Sequence, residues 1–481
     1  MLFNSLFFLF VFFPLVTGVY YLLPHKFRWG WLLLASCYFY MGFIPSYILI
    51  LAFTITIDYF AGIFIVKSTG RKKKYLLILS ILSNIGVLFL FKYFNFFNAN
   101  FGALAELIHW NYSIQSLSLI LPIGLSFHTF QSLSYIIEVY RGHQKAEYNF
   151  GIFALYVMFY PQLVAGPIER PQNLLPQFRV KHDFKIERFV SGLRLIIWGL
   201  FKKVVIADRV SIFVNQIFNN VQDYTGPYFV LATFLFAFQI YCDFSGYSDM
   251  ARGLARTLGF ELMVNFKAPY FSKSISEFWR RWHISLSSWF RDYVYIPLGG
   301  SRVSSFRLQY NLFITFLLSG IWHGANWTYI IWGGLNGFYL IFALWTDKFG
   351  LKISKLLRIK NTVFDKIFQT LITFLLICFS WIFFRAKSLA DAWYILKQIL
   401  IDGYNLLSLW PFILQYRYSF IIVFGAIGLL LLVDYFIADD RRLERLRLVP
   451  LPLQIIFCLF VVFLIMLLGR FVNEQFIYFQ F

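Results

Sequence analysis

Residues 46–66 read SYILILAFTITIDYFAGIFIV, a stretch in which Asp58 is the one charged side chain. An α-helix of about 20 residues is long enough to cross the hydrocarbon core of a bilayer. Similar stretches recur along the whole chain, for example at 418–437 and 452–471. One soluble core cannot bury so many of them. The sequence therefore predicts an all-α fold, a polytopic bundle of transmembrane helices.

The composition and the spacing of these stretches extend this prediction. Of the 481 residues, 59% are hydrophobic and 14% are charged, whereas a soluble domain carries about 25% charged residues. We predict about 11 to 13 spans, with re-entrant or interfacial helices around a central cavity. They form a single membrane domain over 1–481, with N-terminal helices in 1–145, a catalytic core in 146–346 and C-terminal helices in 347–481.

The net charge of +20 would suggest nucleic-acid binding in a soluble protein. Here the basic residues fall mainly between apolar stretches, as in Arg71–Lys74 and Lys202–Lys203, and the positive-inside rule accounts for that pattern. We predict no nucleic-acid partner. Because Lys26 and Arg28 follow the first apolar stretch, we place the N-terminus outside and Arg71–Lys74 in the cytoplasm.

Residues 240–302 are unusually polar for this chain, and they include His283 in the string FWRRWHISLSSWF at 278–290. Such a segment is either a cytoplasmic amphipathic stretch or a re-entrant lining of a cavity. Arg280 and Arg281 suit a nucleotide phosphate, such as that of coenzyme A. They equally suit lipid headgroups beside the membrane. Both interpretations remain open on the residues alone.

His323 lies in SGIWHGANWTYIIWGGLNG at 319–337, where one apolar stretch ends and the next begins. The glycines of this string, among them Gly320, Gly333 and Gly334, allow backbones to approach closely. Burial there would keep the imidazole neutral, and a neutral imidazole can take a proton from an attacking hydroxyl. A purely structural role is the alternative. His128, within another apolar stretch, is balanced between a functional and a packing role.

Other chemistries lack their patterns in this sequence. No GxSxG elbow is present, so a histidine that activates the acceptor's own hydroxyl is favoured over a covalent enzyme intermediate. Neither HExxH, a HxxxH pair nor CxxC occurs, and the four cysteines are far apart. We therefore expect no metal site and no bound cofactor.

Four blocks of sequence resemble the membrane-bound O-acyltransferase superfamily, and within it the branch of the alginate O-acetylation proteins. They are FYPQLVAGPIERPQNLLPQF at 159–178, FQIYCDFSGYSDMARGLARTLGF at 238–260, NFKAPYFSKSISEFWRRWHISLSSWFRDYVYIPLGGSR at 265–302, and the 319–337 string. In that family the histidine of the WHG block is catalytic, which implies His323. A second polar position upstream falls on His283.

The remaining candidate residues surround these two histidines in the sequence. As supporting residues we predict Trp322, Asn326, Asp243, Asp292 and Tyr295. The predicted donor-binding residues are Arg280, Arg281 and Lys273.

The resemblance implies an O-acyltransferase that moves acetyl from a cytoplasmic donor, acetyl-CoA, across the bacterial inner membrane. The acceptor would be a cell-envelope or extracellular polysaccharide, either an alginate-type exopolysaccharide or peptidoglycan. Relatives often work with a separate extracytoplasmic SGNH-type acetyltransferase, so we expect such a partner. The alternatives are D-alanyl transfer to teichoic acid, a non-enzymatic acyl or glycan transporter, and a non-catalytic scaffold.

Overall fold

A computed structural model of the chain describes residues 1–164, 166–356, 362–447, 449–471 and 476–477. These residues form helices joined by short connections, and no strand occurs among them. Seven helices in this part of the chain are long and apolar enough to cross a membrane: Pro45–Val66, Gly70–Leu107, Gly226–Leu258, Trp327–Thr346, Val363–Arg385, Arg417–Ile437 and Leu451–Leu468. The prediction of a polytopic helical membrane protein is confirmed, and the finer count of spans stays a prediction.

The chain divides into two compact units, and the predicted division into three segments stays a prediction. The first unit comprises 1–196 and 248–263. Its helices are α1 (Phe13–Leu22), α2 (His25–Met41), α3 (Ile48–Val66), α4 (Gly70–Leu88), α5 (Phe94–Leu107), α6 (Leu125–Arg141), α7 (Phe150–Met158), α8 (Tyr160–Leu163), α9 (Pro171–Leu174) and most of α10 (Ile186–Leu200).

The second unit comprises 197–247 and 264–481. Its helices are α11 (Asp208–Phe218), most of α12 (Gly226–Leu258), α13 (Ile275–Arg281), α14 (Ile284–Phe290), α15 (Ser305–His323), α16 (Trp327–Leu356), α17 (Val363–Arg385), α18 (Leu389–Asp402), α19 (Trp410–Gln415), α20 (Arg417–Ile437), α21 (Asp440–Arg447) and α22 (Leu451–Leu468). Within α12, 83% of the apolar stretch is buried in the protein, compared with 11% in α22. The helix α12 is thus an interior helix, whereas α22 is covered by little of the protein.

Two sequence-based expectations differ from the structure. The apolar stretch 114–139, which its length and composition predict to be a span, becomes helical only at Leu125, because Pro122 restricts the residue before it and Gly124 adopts a left-handed φ of 76°. Lys202 and Lys203, which we placed in a connection, are instead buried in a π-helical segment, Phe201–Ala207. The sequence could not reveal that Lys203 has two carboxylate partners, Asp208 and Asp243, at 2.7 and 2.8 Å.

Helices α15 and α16 form a hairpin that brings the end of one helix beside the start of the next. A Cβ atom built on Gly320 would meet the carbonyl oxygen of Tyr329 and lie 3.1 Å from the Cα atom of Gly333. Close approach at Gly320 and Gly333 agrees with the sequence analysis. Gly334 does not take part, since the nearest atoms to its Cβ position, on the Phe313 ring, are 3.9 Å away.

Candidate active site

His323 is the last residue of α15, and its hydrogen bond defines the state of its ring. The Nδ1 atom lies 2.6 Å from the carbonyl oxygen of Ser319, one helical turn earlier. A carbonyl oxygen can only accept, so Nδ1 carries the hydrogen and donates it. The neutral ring therefore has its lone pair on Nε2, the nitrogen that is able to accept a proton.

Aromatic side chains surround the His323 ring on several sides. The rings of Trp322, Trp332 and Phe384 lie with their centroids 4.9, 4.8 and 5.5 Å from that of the imidazole. His323 itself is only 4% exposed. An apolar shell of this kind excludes water, and in such surroundings electrostatic and proton-transfer interactions are stronger than in solution.

His283 lies at the start of α14, also deep within the second unit. It is 1% exposed, and its imidazole meets the ring of Phe244 edge-on at 4.5 Å. Its backbone adopts the left-handed conformation, with φ 42° and ψ 55°. Its Nδ1 lies 3.1 Å from Oδ1 of Asn265.

The surroundings of His283 also fix its charge state. His283 lies outside the seven apolar helices, and burial lowers its pKa well below the usual range. A positive charge on His323 would lower that pKa further, so the two imidazoles are within electrostatic range of each other. The structure thus brings together the two histidines that the sequence separates by 40 positions, and it holds His283 in its neutral form.

A cavity of about 280 Å³ lies among α13, α14, α15 and α16. Its lining is mostly apolar, with several polar groups: Arg280, Arg291, Tyr295, Ser276, Ser287 and Ser319. The two histidines are not among the described residues that line it. Their neighbours are, because Ser319 accepts from His323 and Ile284 follows His283. The cavity is therefore a pocket beside the histidines rather than one that contains them.

The three predicted donor-binding residues have different surroundings. Arg280 lines the cavity. Arg281 forms an ion pair with Glu277 at 2.7 Å and donates to the carbonyl oxygen of Ala438. Lys273 is exposed just before α13. Arg280 is therefore the member of this set that the structure places at the cavity.

The predicted supporting residues are likewise divided. Trp322 contacts the His323 ring, and Tyr295 lines the cavity. Asn326 accepts from the backbone N–H of Thr328 and donates to the carbonyl oxygen of Lys387, so it begins α16 and joins it to the segment after α17. Trp322 therefore lies at the His323 ring, Tyr295 at the cavity, and Asn326 at the start of α16.

The two aspartates of the supporting set are engaged elsewhere. Asp243 pairs with Lys203, and its Oδ2 accepts from the backbone N–H of Ile477 at 2.7 Å. Asp292 pairs with its neighbour Arg291 at 2.8 Å. These contacts are with groups other than the two imidazoles.

Sequence reasoning missed the residues that hold the imidazoles from outside the WHG and WRRWH strings: Asn265, Phe244 and Phe384. Phe384 lies on α17, in a stretch that reads as an ordinary span. Asn265 offered a signal, because it is a polar residue at the start of the third block. Among the described residues, no group of three His, Cys, Asp or Glu side chains is placed to hold a metal ion.

Comparison with known proteins identifies the family to which these residues belong. The sequence profile of MBOAT, the membrane-bound O-acyltransferase family, matches residues 141–393, more than half of the chain. The chain belongs to the membrane-bound O-acyltransferase family. The match includes both histidines, the cavity and the α15–α16 hairpin, so this membrane protein is an O-acyltransferase.

Several curated relatives within this family align with most of the chain. A Pseudomonas aeruginosa protein named probable alginate O-acetylase AlgI is 42% identical over 400 residues, which are 82% of this chain and 74% of that protein. The peptidoglycan O-acetyltransferase of Helicobacter pylori is 36% identical over 446 residues, 85% of this chain and 82% of that protein. The teichoic acid D-alanyltransferase of Bacillus subtilis is more distant, at 26% identity over 56% of this chain and 70% of that protein.

Proposed function

We propose that this O-acyltransferase transfers acetyl groups to hydroxyls of a cell-envelope or extracellular polysaccharide. The similarity to an alginate O-acetylase and to a peptidoglycan O-acetyltransferase supports this substrate class. The observation that carries the proposal is the buried imidazole of His323, whose Nδ1–H is held by Ser319 so that Nε2 bears the lone pair. D-alanyl transfer is not proposed, because the relatives with that name align with a smaller part of the chain.

In the proposed reaction the acetyl donor is acetyl-CoA, supplied from the cytoplasm across the bacterial inner membrane. Nε2 of His323 takes the proton of the attacking hydroxyl as its oxygen forms a bond to the thioester carbonyl carbon. The carbon–sulfur bond then breaks, and the imidazolium returns its proton to the departing CoA sulfur. The products are an O-acetyl ester and free CoA, with no group left on the enzyme.

Other residues would serve this step from their places around the two imidazoles. His283 would position a substrate near the thioester. Arg280, at the cavity, would contact a phosphate of the donor, with Arg281 and Lys273 contributing positive charge along α13. Tyr295 and Trp322 would bound the site, and Asn326 would hold the start of α16.

The acceptor and the partner follow from the same proposal. Acetyl that crosses the membrane through this protein needs an enzyme or a glycan on the other side to receive it. A separate extracytoplasmic acetyltransferase of the SGNH type would complete the transfer. The glycan is an alginate-type exopolysaccharide or peptidoglycan.

The test replaces His323 by glutamine and measures the acetate released by mild base from the purified cell-envelope glycan, relative to protein level in the membrane. We expect His323→Gln to lower ester content at least about 100-fold, the lower end of general-base contributions. The same hydrolysate is examined for D-alanine. Unchanged acetate in the variant would refute the catalytic role, and alanine in place of acetate would refute the acetyl specificity.

His128 supplies a matched control for this experiment. It is also a buried histidine, but it belongs to the first unit, and its Nε2 donates to the carbonyl oxygen of Leu163 at 2.8 Å. His128→Gln keeps a donor of similar length at that position. We expect this variant to retain acetylation, so a loss confined to His323→Gln is not a general consequence of removing a buried imidazole.

A further inference from the structure

Asn265 is a fully buried amide that contacts both the ring and the helix of His283. Its Oδ1 lies 3.1 Å from Nδ1 of His283, 3.2 Å from the backbone nitrogen of Ser285 and 3.0 Å from Oγ of Ser285. Asn265 is 1% exposed. It precedes His283 by 18 positions, so these contacts depend on the fold of the segment between them.

The contact with Ser285 establishes which end of the amide faces His283. A backbone N–H can only donate, so the atom of Asn265 that it meets must be the oxygen. The histidine nitrogen beside that oxygen must then also be a donor. Nδ1 of His283 therefore carries the hydrogen, and the neutral ring has its lone pair on Nε2.

Asn265 also explains how a histidine can begin α14. The residue before a helix usually caps the first backbone N–H groups with its own side-chain oxygen. His283 makes no such bond. Oδ1 of Asn265 accepts from Ser285 in its place, and the carbonyl oxygen of Asn265 accepts from Ile284 at 2.9 Å. The cap thus comes from another segment and not from the His283 side chain.

The same contacts stabilise the left-handed backbone at His283. This conformation is unfavourable for a non-glycine residue and persists where the surrounding contacts fix it. The bond from Ile284 is followed by a second one, from the backbone N–H of Lys267 to the carbonyl oxygen of Arg281 at 3.0 Å. Residues 265–267 are thereby aligned against 281–284, with His283 fixed between the two bonds.

We propose that Asn265 is a positioning residue that fixes His283 as a hydrogen-bond acceptor through Nε2. This inference rests on the proposed acetyl transfer at His323 and His283. A neutral His283 in this tautomer cannot donate to a thioester carbonyl. It accepts from an N–H or O–H instead, either an amide of the donor's pantetheine arm or the acceptor hydroxyl, and it orients that group for His323.

The experiment compares Asn265→Leu with Asn265→Asp in isolated membranes that contain the glycan, using acetyl-CoA with a radiolabelled acetyl group over a range of pH. Leucine has a similar volume but no acceptor, and we expect it to lower the transfer rate about 10- to 100-fold, as for other residues that orient a functional histidine. Aspartate keeps the acceptor oxygen and adds a negative charge. We expect it to restore most of the rate.

The pH profile separates positioning from a merely structural role. The carboxylate of Asn265→Asp would stabilise the His283 imidazolium and so raise the pKa of His283. As the pH falls, His283 would then become protonated, and lose its acceptor nitrogen, at a higher pH than in the wild type. The acidic limb of the profile should then move upward by about one pH unit. An unshifted limb in Asn265→Asp, or a wild-type rate and profile in Asn265→Leu, would overturn the inference. If the leucine variant does not accumulate, the shift in the aspartate variant alone decides.

Two controls keep this result distinct from other failures. Asn311 is another buried amide of the second unit, which donates to the carbonyl oxygen of Gly300 at 3.1 Å. Asn311→Leu removes a comparable hydrogen bond and should leave the acidic limb where it is. His323→Gln tests the proposed function itself. An active His323→Gln refutes that function, whereas an inactive His323→Gln with a wild-type Asn265→Leu refutes the positioning role alone.

Discussion

At the scale of single residues, the two histidines share one arrangement. Each uses Nδ1–H to donate to an oxygen of the protein, a backbone carbonyl for His323 and an amide for His283. In both neutral rings the lone pair is therefore on Nε2. The Nε2 atoms of His323 and His283 are both acceptors, and the two rings are within electrostatic range of each other. They have different tasks in the proposed reaction, because only one proton leaves the attacking hydroxyl. His323 takes that proton, and His283 orients a substrate.

A carboxyl group in the first unit gives a prediction about stability. Glu169 is buried, and its Oε1 accepts from the backbone N–H of Met263 at 2.6 Å. Burial raises its pKa from 4.5 to about 7. Between these two pH values, Glu169 thus keeps its proton in the folded protein but has lost it in the unfolded chain. The stability that this proton contributes is fully present below about pH 4.5 and is lost as the pH rises through about 7.

We expect Glu169→Gln to remove this dependence, because glutamine does not ionise. The melting temperature of the variant, minus that of the wild type, should increase from about pH 5 to about pH 8. The measurement is thermal unfolding of the purified protein in detergent. Glu261→Gln, which alters an exposed carboxylate of the same unit, is the control for the loss of a carboxylate as such. If the melting temperatures of Glu169→Gln and wild type varied with pH in parallel, the raised pKa of Glu169 would be contradicted.

Some residues of the site could be identified from the sequence, and others only from the fold. His323 and His283 could be identified from the sequence because they lie in distinctive strings of aromatic and basic residues. Asn265 gave only the weak signal of a polar residue at the start of the third block, and its contact with an imidazole becomes visible only in the fold. Lys203 was misjudged for the same reason. A lysine reads as exposed until its partners are known, and Asp243 is 40 positions away in the sequence.

At the scale of elements, the close contact between α15 and α16 sets the position of the site. His323 comes three residues after Gly320, and Trp332, which contacts the His323 ring, comes immediately before Gly333. A change in helix separation at these glycines would therefore move the His323 ring relative to its aromatic neighbours. The glycines are needed here because each faces backbone atoms of the other helix rather than adaptable side chains.

We expect Gly320→Ala and Gly333→Ala each to destabilise the protein by about 1–3 kcal/mol, as overpacking does, and to lower acetyl transfer. Gly334→Ala is the matched control, because its Cβ would lie 3.9 Å from the nearest atoms. That substitution should change stability by no more than about 0.5 kcal/mol. The measurements are thermal unfolding in detergent and transfer of labelled acetyl. Equal effects at Gly333 and Gly334 would show that helix separation does not control the site.

Helices were predictable where composition alone decides them. The long apolar helices α3, α20 and α22 were expected, since about 20 consecutive apolar residues are typical of a membrane-spanning helix. The helices α5 and α18 were missed. Each has 14 residues and carries polar side chains among the apolar ones, so neither is an apolar stretch long enough to be recognised as a span. The irregular segment before α6 was missed because an apolar stretch does not by itself require a helix.

At the scale of the whole molecule, membrane orientation decides from which side a donor can arrive. Lys67 follows the end of α3 and Arg71–Lys74 begin α4, and most of these basic side chains are exposed. Basic residues of short connections stay in the cytoplasm. The positive-inside rule then predicts that the opposite end of α3, at 45–47, faces outward. The proposed reaction, with a cytoplasmic donor and an external glycan acceptor, would require the protein to be open from both sides.

This orientation predicts opposite labelling of two engineered cysteines by a membrane-impermeant maleimide. In a chain whose native cysteines are replaced by alanine, Ser46→Cys should react in intact spheroplasts, because its exposed side chain lies at the outer end of α3. Lys72→Cys, exposed at the basic turn, should react only in inverted membrane vesicles. Both proteins must retain acetylation, so that the labelled molecules are the functional ones. The reverse pattern would place the basic turn outside and would contradict the orientation that the positive-inside rule predicts.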